Sequence, residues 1–452
     1  MSRFDLAARR TRRAGIDLPG GLYMAPAGPM LAALAIVLAF LIPSASPWQS
    51  PLLIAACLAF ALPTAPFWLK KLSGQLALLM LAVTLALTLG AGRHLDLAAG
   101  LMRYRTVVEL MFGIAMLQRL VGRLGLQALI MRQGDRLATR WRAVSFGALA
   151  SLLALPLSMA TIPLFATVLG PIARPRMAAA KIPMRAVSLT MLIVPTTVAS
   201  AAVSASLPGL DALKVALLGA PLFVLGLASL LTTSLTLMPS ETPTTPAPGL
   251  VWYVLGFWGC FLAGLALGLA IPSCIALAGA VLYLADTLFT RRSIESAMAE
   301  VGGALQTGSA EVVLLLTCGL LAQTLAHAPM LPGIGPWLAA AWQSPWIASA
   351  LLVFALPLIA ALGVHPLILF NLLFPLVNNA VLGSLTLQYL AWSTMFLAAQ
   401  LLSPVSISAL LAAASLSTSP NRVSFGLHLR FSLAMGILVF GYLNGLRYMG
   451  IG

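Results

Sequence analysis

The sequence predicts an all-α, polytopic membrane protein. The expected layout is about 11 transmembrane helices plus two re-entrant hairpins, arranged as two inverted-topology repeats. Three observations carry this: a composition too apolar for water, proline-interrupted apolar stretches at matching places in the two halves, and basic clusters that switch sides between the halves. Of 452 residues, 60% are hydrophobic and 8% charged, with a mean hydropathy of +1.00. Soluble domains carry about 25% charged residues. Apolar runs of about 17–25 residues recur along the chain, the length a helix needs to cross a bilayer. The alternating pattern of a membrane β-barrel is absent.

The net charge of +15 does not point to nucleic acid, because the bases cluster between apolar spans. That distribution is the positive-inside signature. Residues 1–23, opening "MSRFDLAARRTRRAG", read as a basic cytoplasmic lead with no signal cleavage site. Cys57, Cys260, Cys274 and Cys318 all fall in apolar spans without CxxC spacing and read as small buried hydrophobes.

Taken in order, an extra first helix is expected over 24–43. Repeat 1 covers 50–237. Its scaffold part, 50–122, holds spans near 50–68, 74–91 and 107–122. Residues 123–143 are apolar then basic and read as an interfacial arm. The remainder, 144–237, contains a hairpin (144–172), a broken span (186–206) and a further span (212–237). A Pro/Thr linker, 238–249, precedes repeat 2, which covers 250–446. Its scaffold part, 250–327, holds spans near 250–271, 273–289 and 309–327; its second part, 347–446, holds a hairpin (347–376), a broken span (390–417) and a last span (423–446).

The hairpins follow from length and flanking charge. Stretch 144–172 is interrupted by Pro156, Ser158, Thr161 and Pro163, and both of its flanks are strongly basic, so both belong on the cytoplasmic side. Each arm of about 14 residues makes about 21 Å of helix, too short for a core of about 30 Å. Stretch 347–376 has the same design, but its flanks carry no Lys or Arg and belong outside. Other features recur at similar offsets: Glu109 and Glu311 (202), Pro163 and Pro366 (203), Pro195 and Pro404 (209). Thr197 and Ser406 each stand two residues after the last pair of prolines. An odd number of crossings per unit inverts the second unit. The N-terminus is then cytoplasmic and the C-terminus periplasmic, in a bacterial inner membrane. Inverted repeats with helices broken at corresponding places mark secondary transporters, with the site near the midplane.

One leading span followed by two inverted units of five spans and a hairpin resembles the ion transporter superfamily, which includes the divalent-anion/sodium symporters and the citrate and arsenite carriers. The resemblance covers essentially the whole chain in layout. The symporters carry Ser-Asn-Thr at each hairpin tip, whereas the tips here read "PLSMATIP" (156–163) and "ALGVHP" (361–366), so the chain reads as a divergent branch. The resemblance implies an elevator mechanism, in which a mobile domain of hairpins and broken helices slides against a homodimeric scaffold.

The candidate binding residues are Ser158, Thr161, Pro195, Thr196, Thr197, Ser200, His365, Asn371, Pro404, Ser406 and Ser408, at the tips and breaks. No Asp or Glu falls in the hairpins or broken spans, which argues against a carboxylate-driven proton pump. Half-helix N-termini offer partial positive charge and free N–H groups to an anion. Freed carbonyls and hydroxyls suit Na⁺, expected near Thr197 and Ser406. The expected function is therefore secondary transport of a small anionic solute with Na⁺ as the coupling ion. Glu109, Asp286 and Glu311 read as structural, and His428 and Arg430 as snorkelling to the cytoplasmic edge. The four histidines show no HExxH spacing and no nucleophile elbow or P-loop occurs, so an enzyme is not expected. The competing reading is a non-transporting membrane scaffold or assembly protein derived from a transporter fold.

Overall fold

A computed structural model of the chain describes residues 28–41, 46, 48–90, 96–123, 139–238, 250–326, 340 and 342–451. The basic lead (1–23), the arm up to residue 138, linker residues 239–249, and His94 and His327 lie outside these. Apart from one pair of two-residue strands, the described regular structure is helical. β1 (Ala173–Arg174) and β2 (Thr236–Leu237) pair antiparallel. Six helical stretches are long and apolar enough to cross a bilayer, or seven if a pair bent by 60°, Ile294–Gln306 and Ser309–Leu325, counts as one span. The protein is thus an all-α, multi-pass membrane protein.

The first half opens with α1 (Gly28–Leu41), α2 (Gln49–Trp68) and α3 (Leu72–Gly90). A short α4 (Leu97–Met102) follows, capped by Asp96, and then α5 (Arg105–Arg123). Helix α6 (Thr139–Leu157) and α7 (Thr161–Leu169) come next. Together they pass as one 29-residue stretch, Trp141–Leu169, by length and composition, but they fold back on each other. Phe146 and Phe165 would lie about 28 Å apart on a straight helix, yet their rings are 6.4 Å apart. The reversal occurs at Ser158, whose φ of +50° is left-handed. That conformation is uncommon for a residue with a Cβ.

Helix α8 (Ala178–Thr190) starts eight residues before the expected span at 186. Its Lys181 and Arg185 had marked the segment as a loop, but Arg185 is buried. Its Nε donates to His428 Nδ1 at 3.3 Å, its Nη2 to the Leu427 carbonyl at 3.3 Å, and its guanidinium stands 4.3 Å from the Phe431 ring centroid. His428 therefore does not snorkel; it is enclosed as the partner of Arg185, while Arg430 is exposed. After a break, α9 (Val198–Ala205) runs to the Pro208-Gly209 turn. There Asp211 caps α10 (Ala212–Ala228), accepting from the N–H groups of Leu213 and Lys214 at 2.9 and 3.2 Å.

The second half runs α11 (Leu250–Ala266), α12 (Ile271–Phe289), α13 (Ile294–Thr307) and α14 (Ser309–Ala326). α13 had no counterpart among the expected spans. Its Glu295 and Glu300 break the apolar run, but Ala297, Val301 and Leu305 recur every four residues and are buried, as one face of an amphipathic helix requires. α15 (Pro345–Ala361) carries a π-helical turn at Leu351–Ala355, and α16 (Pro366–Leu373) follows the loop at Gly363. This pair also doubles back. Trp342, just before α15, and Phe374, just after α16, both reach Trp392, with ring centroids 6.5 and 5.4 Å away. The chain ends with α17 (Leu385–Leu402), α18 (Ile407–Ser415), α19 (Pro420–Val423) and α20 (Phe425–Tyr448). Near the C-terminus, Arg447 ties α20 to the base of α15, donating to the Leu382 carbonyl at 2.9 Å and to Ser349 Oγ at 2.9 Å.

The packing is reciprocal between the halves. α5 packs on α12, and α14 packs on α3, so with α1 set aside the second helix of each half meets the last long helix before the hairpin of the other. α9 lies against α17, and α18 against α8. At the centre, α8 and α17 touch, and every residue from Thr386 to Leu402 is buried. The outer helices present apolar side chains outward, among them Leu62, Val251 and Leu288, as a lipid-facing perimeter does. Glu109 is held by Arg105 Nε at 2.8 Å and accepts from Ser273 Oγ at 2.6 Å, and Asp286 accepts from Tyr253 Oη at 2.6 Å.

Candidate functional site

Each of the two central helices is interrupted by a proline, and the consequence can be traced atom by atom. Proline lacks an N–H, so the carbonyl four residues before it loses its helical donor. For Pro404 that carbonyl belongs to Gln400. It instead accepts the hydroxyls of Ser406 and Ser408, at 2.7 and 2.9 Å. For Pro195 it belongs to Met191, whose carbonyl accepts the buried Tyr389 hydroxyl at 2.8 Å, donated from α17 of the other half. The chain then restarts as a helix behind a hydroxyl cap. Thr197 is extended and forms a capping box with Ser200: each side chain accepts the other's backbone N–H at 3.2 Å. Ser406 is likewise extended and accepts from the Ala409 N–H at 3.3 Å. Such caps suit Ser and Thr because a short hydroxyl reaches the otherwise unpaired N–H groups of the first turn.

The third restart is at the second hairpin. His365 is the N-cap of α16, and its Nδ1 accepts from the Leu367 N–H at 3.2 Å. An Nδ1 that accepts carries no proton, so the neutral ring bears its proton on Nε2. That Nε2 is buried and has no partner among the described residues; the same holds for Ser158 Oγ, Thr161 Oγ1, Thr196 Oγ1 and Gln400 Oε1.

A small cavity of about 20 Å³ lies where these pieces meet. Val198 and Ala199 of α9, Pro366 and Leu367 of α16, and Ser406 and Ile407 of α18 line it, so the first turns of three half-helices face one space. His365, Phe396, Gln400 and Met159 complete the wall. Met159, Val198 and Ile407 also line a larger cavity of about 250 Å³. Its opposite wall comes from α5, from the α2–α3 turn and from the α13–α14 junction, and there stand Lys71, Arg119 and Glu311.

Of the residues singled out in the sequence, Ser158, His365 and Ser406 line these cavities. Thr197, Ser200 and Ser408 flank them with their hydroxyls engaged in the breaks, and Pro195 and Pro404 make those breaks. Thr161 and Thr196 are buried and unpartnered but line neither cavity. Asn371 also lines neither: it accepts the Tyr104 hydroxyl and donates Nδ2 to the Leu367 carbonyl at 2.7 Å. Sequence reasoning missed Gln400, although a glutamine four residues before a proline in an apolar helix is a legible signal. It also missed Lys71, in the α2–α3 turn, and Arg119, in α5, which stand in different elements from the breaks. Among the described residues, no three His, Cys, Asp or Glu side chains gather as metal ligands do.

No protein-family profile and no curated protein matches this sequence. Among solved structures, the chain is similar to the Alcanivorax borkumensis YdaH transporter, described as having an unusual topology. The TM-score is 0.52 and the identity 15%, over 94% of this chain and 99% of that one. A likeness at this identity speaks for the fold alone: the chain shares the fold of that protein along nearly its whole length.

Proposed function

We propose that the protein is a secondary carrier of a small anionic solute. One observation carries this reading: the first turns of α9, α16 and α18 line a single cavity. A helix N-terminus carries a partial positive charge of about half an elementary charge. Three such ends bring positive partial charge to one space, and His365, whose Nε2 has no partner among the described residues, adds a donor; no carboxylate stands among the lining residues. That arrangement favours an anion and disfavours a cation.

The wider reading follows from the architecture. The doubled-back pairs α6–α7 and α15–α16 and the two broken helices form a mobile unit. The long helices α2, α3, α5, α11, α12 and α14 form a scaffold, paired as a homodimer. The reciprocal packing of the halves supports an inverted repeat, the layout of the ion transporter superfamily, and a movement of elevator type. The membrane is the bacterial inner membrane, with the N-terminus cytoplasmic and the C-terminus periplasmic. Sodium fits the breaks less well than an anion does. The oxygens at the breaks are already engaged, the Met191 carbonyl by Tyr389, the Gln400 carbonyl by Ser406 and Ser408, and the Thr197 hydroxyl by Ser200, so they form no open cage.

The test is reconstitution of the full chain in liposomes, with uptake of labelled small anions and cations read with and without an inward sodium gradient. Saturable exchange of an anion is expected. Sodium stimulation would assign the coupling ion. A folded protein that exchanges no solute overturns the carrier reading and leaves the scaffold protein in its place.

A further inference from the structure

We infer that Arg119 meets the charge of the solute, and that the Lys71–Glu311 ion pair beside it limits that charge to one, so that the site takes a monoanion. The inference rests on the anion-carrier reading and adds the residue and the charge class.

The 250 Å³ cavity has two unlike walls. The wall made by Ser158, Met159, Val198 and Ile407 carries helix ends and hydroxyls but no ionisable side chain. The facing wall holds all three ionisable groups of the lining, Lys71, Arg119 and Glu311. Lys71 Nζ stands 3.9 Å from Glu311 Oε2, beyond hydrogen-bonding reach, so the two act on each other through charge and cancel at the cavity. Arg119 is half-buried, and among the described residues it makes no hydrogen bond or ion pair. With two cations and one anion in the lining, the cavity holds one positive charge that no described residue answers. A guanidinium offers a planar fork of donors that fits a carboxylate-like oxyanion in two-point contact. A second negative charge on the solute would face Glu311 or the apolar wall, where a lone charge is costly.

Most of the lining is aliphatic, including Ile114, Leu305, Val312 and Leu411, which lowers the local dielectric and sharpens the charge count. Gln118, exposed at the rim, adds an amide donor and acceptor at the mouth.

The experiment uses the full chain and two probes with the same four-carbon skeleton, butyrate and succinate. Binding is read by ligand-induced thermal stabilisation in detergent, and flux by uptake into liposomes. The wild type is expected to bind butyrate in preference to succinate. Arg119→Gln is expected to lower butyrate affinity about tenfold or more, with Arg119→Lys retaining part of it. Glu311→Gln removes the negative charge beside Lys71 and is expected to shift the succinate-to-butyrate ratio upward by about tenfold. Each variant is first shown to be monodisperse, so that loss of binding is not loss of fold. A wild type that binds neither probe or prefers succinate, an Arg119→Gln protein with wild-type butyrate affinity, or a Glu311→Gln protein with an unchanged ratio overturns the assignment. Arg119-dependent binding without flux would instead sink the carrier reading and leave the charge assignment standing.

Discussion

At the scale of single residues, the hydroxyls at the two breaks bond within the breaks, Thr197 with Ser200 and both Ser406 and Ser408 with the Gln400 carbonyl. Thr197 and Ser406 stand at equivalent places after their prolines, and both turn out to be helix caps. Capping was legible, because Ser and Thr after a helix break compete for backbone N–H groups. What was not legible is that Ser406 and Ser408 are spent on the Gln400 carbonyl, and that Tyr389 supplies the matching bond to Met191 from the other half. A donor brought from 198 residues away in sequence leaves no local signal. His365 combines both roles, with Nδ1 capping α16 and Nε2 facing the small cavity, and the two can be separated. In His365→Asn the shorter side chain still caps but withdraws from the cavity. Its thermal midpoint should stay near that of the wild type while anion affinity falls about tenfold, a loss of about 1.4 kcal/mol. His365→Phe should lose the cap as well, at about 1 kcal/mol of stability. Unchanged affinity in the Asn protein would reduce His365 to a cap.

At the scale of elements, the apolar runs located the long helices to within a few residues. α2 was expected over 50–68 and spans Gln49–Trp68, and α12 was expected over 273–289 and spans Ile271–Phe289. The misses share one cause. Polar and charged residues were assigned to loops, whereas in α8 and α13 they are accommodated: Arg185 by His428 and Phe431, Glu300 by Arg292 and Tyr283, and Glu295 by exposure. The doubling back of α6–α7 was legible because arm length and flanking charge constrain it jointly. The break at Pro404 is the element on which the proposed anion site depends. Pro404→Ala restores the missing N–H, so the Gln400 carbonyl regains a helical partner in place of Ser406 and Ser408. The interrupted span Leu385–Ser415 should then straighten, carrying the first turn of α18 away from the cavity. The expected result is a protein at least as heat-stable as the wild type with anion uptake reduced about tenfold or more, since one of three converging helix ends is lost. Full activity in a stable Pro404→Ala protein would show that the break serves packing alone.

At the scale of the whole molecule, the proposed elevator movement would carry the unit of hairpins and broken helices against the long helices, and among the described residues a buried bond joins the two parts. Tyr104, in the turn between α4 and α5, donates its hydroxyl to Asn371 on the second hairpin's returning arm. Both side chains are buried, and around them the backbones of α4 and α14 come so close that a Cβ at Gly319 would lie 2.3 Å from the Gly100 carbonyl oxygen. Small residues at such crossings let helices pack tightly in a membrane, and here they hold Tyr104 firmly on the scaffold side. Asn371 belongs to the side proposed to move. In a variant whose four native cysteines are replaced, cysteines at 104 and 371 should be joined by a short bifunctional thiol reagent, stopping anion exchange, and a cleavable reagent should restore exchange once it is cut. Tyr104→Phe alone should leave the protein folded and change the exchange rate, because a buried hydrogen bond worth about 1 kcal/mol no longer biases the equilibrium between the two end states. Exchange that continues unchanged after complete cross-linking would mean that the hairpin and the scaffold do not separate. Transport would then have to proceed through the small cavity with the central helices fixed in place.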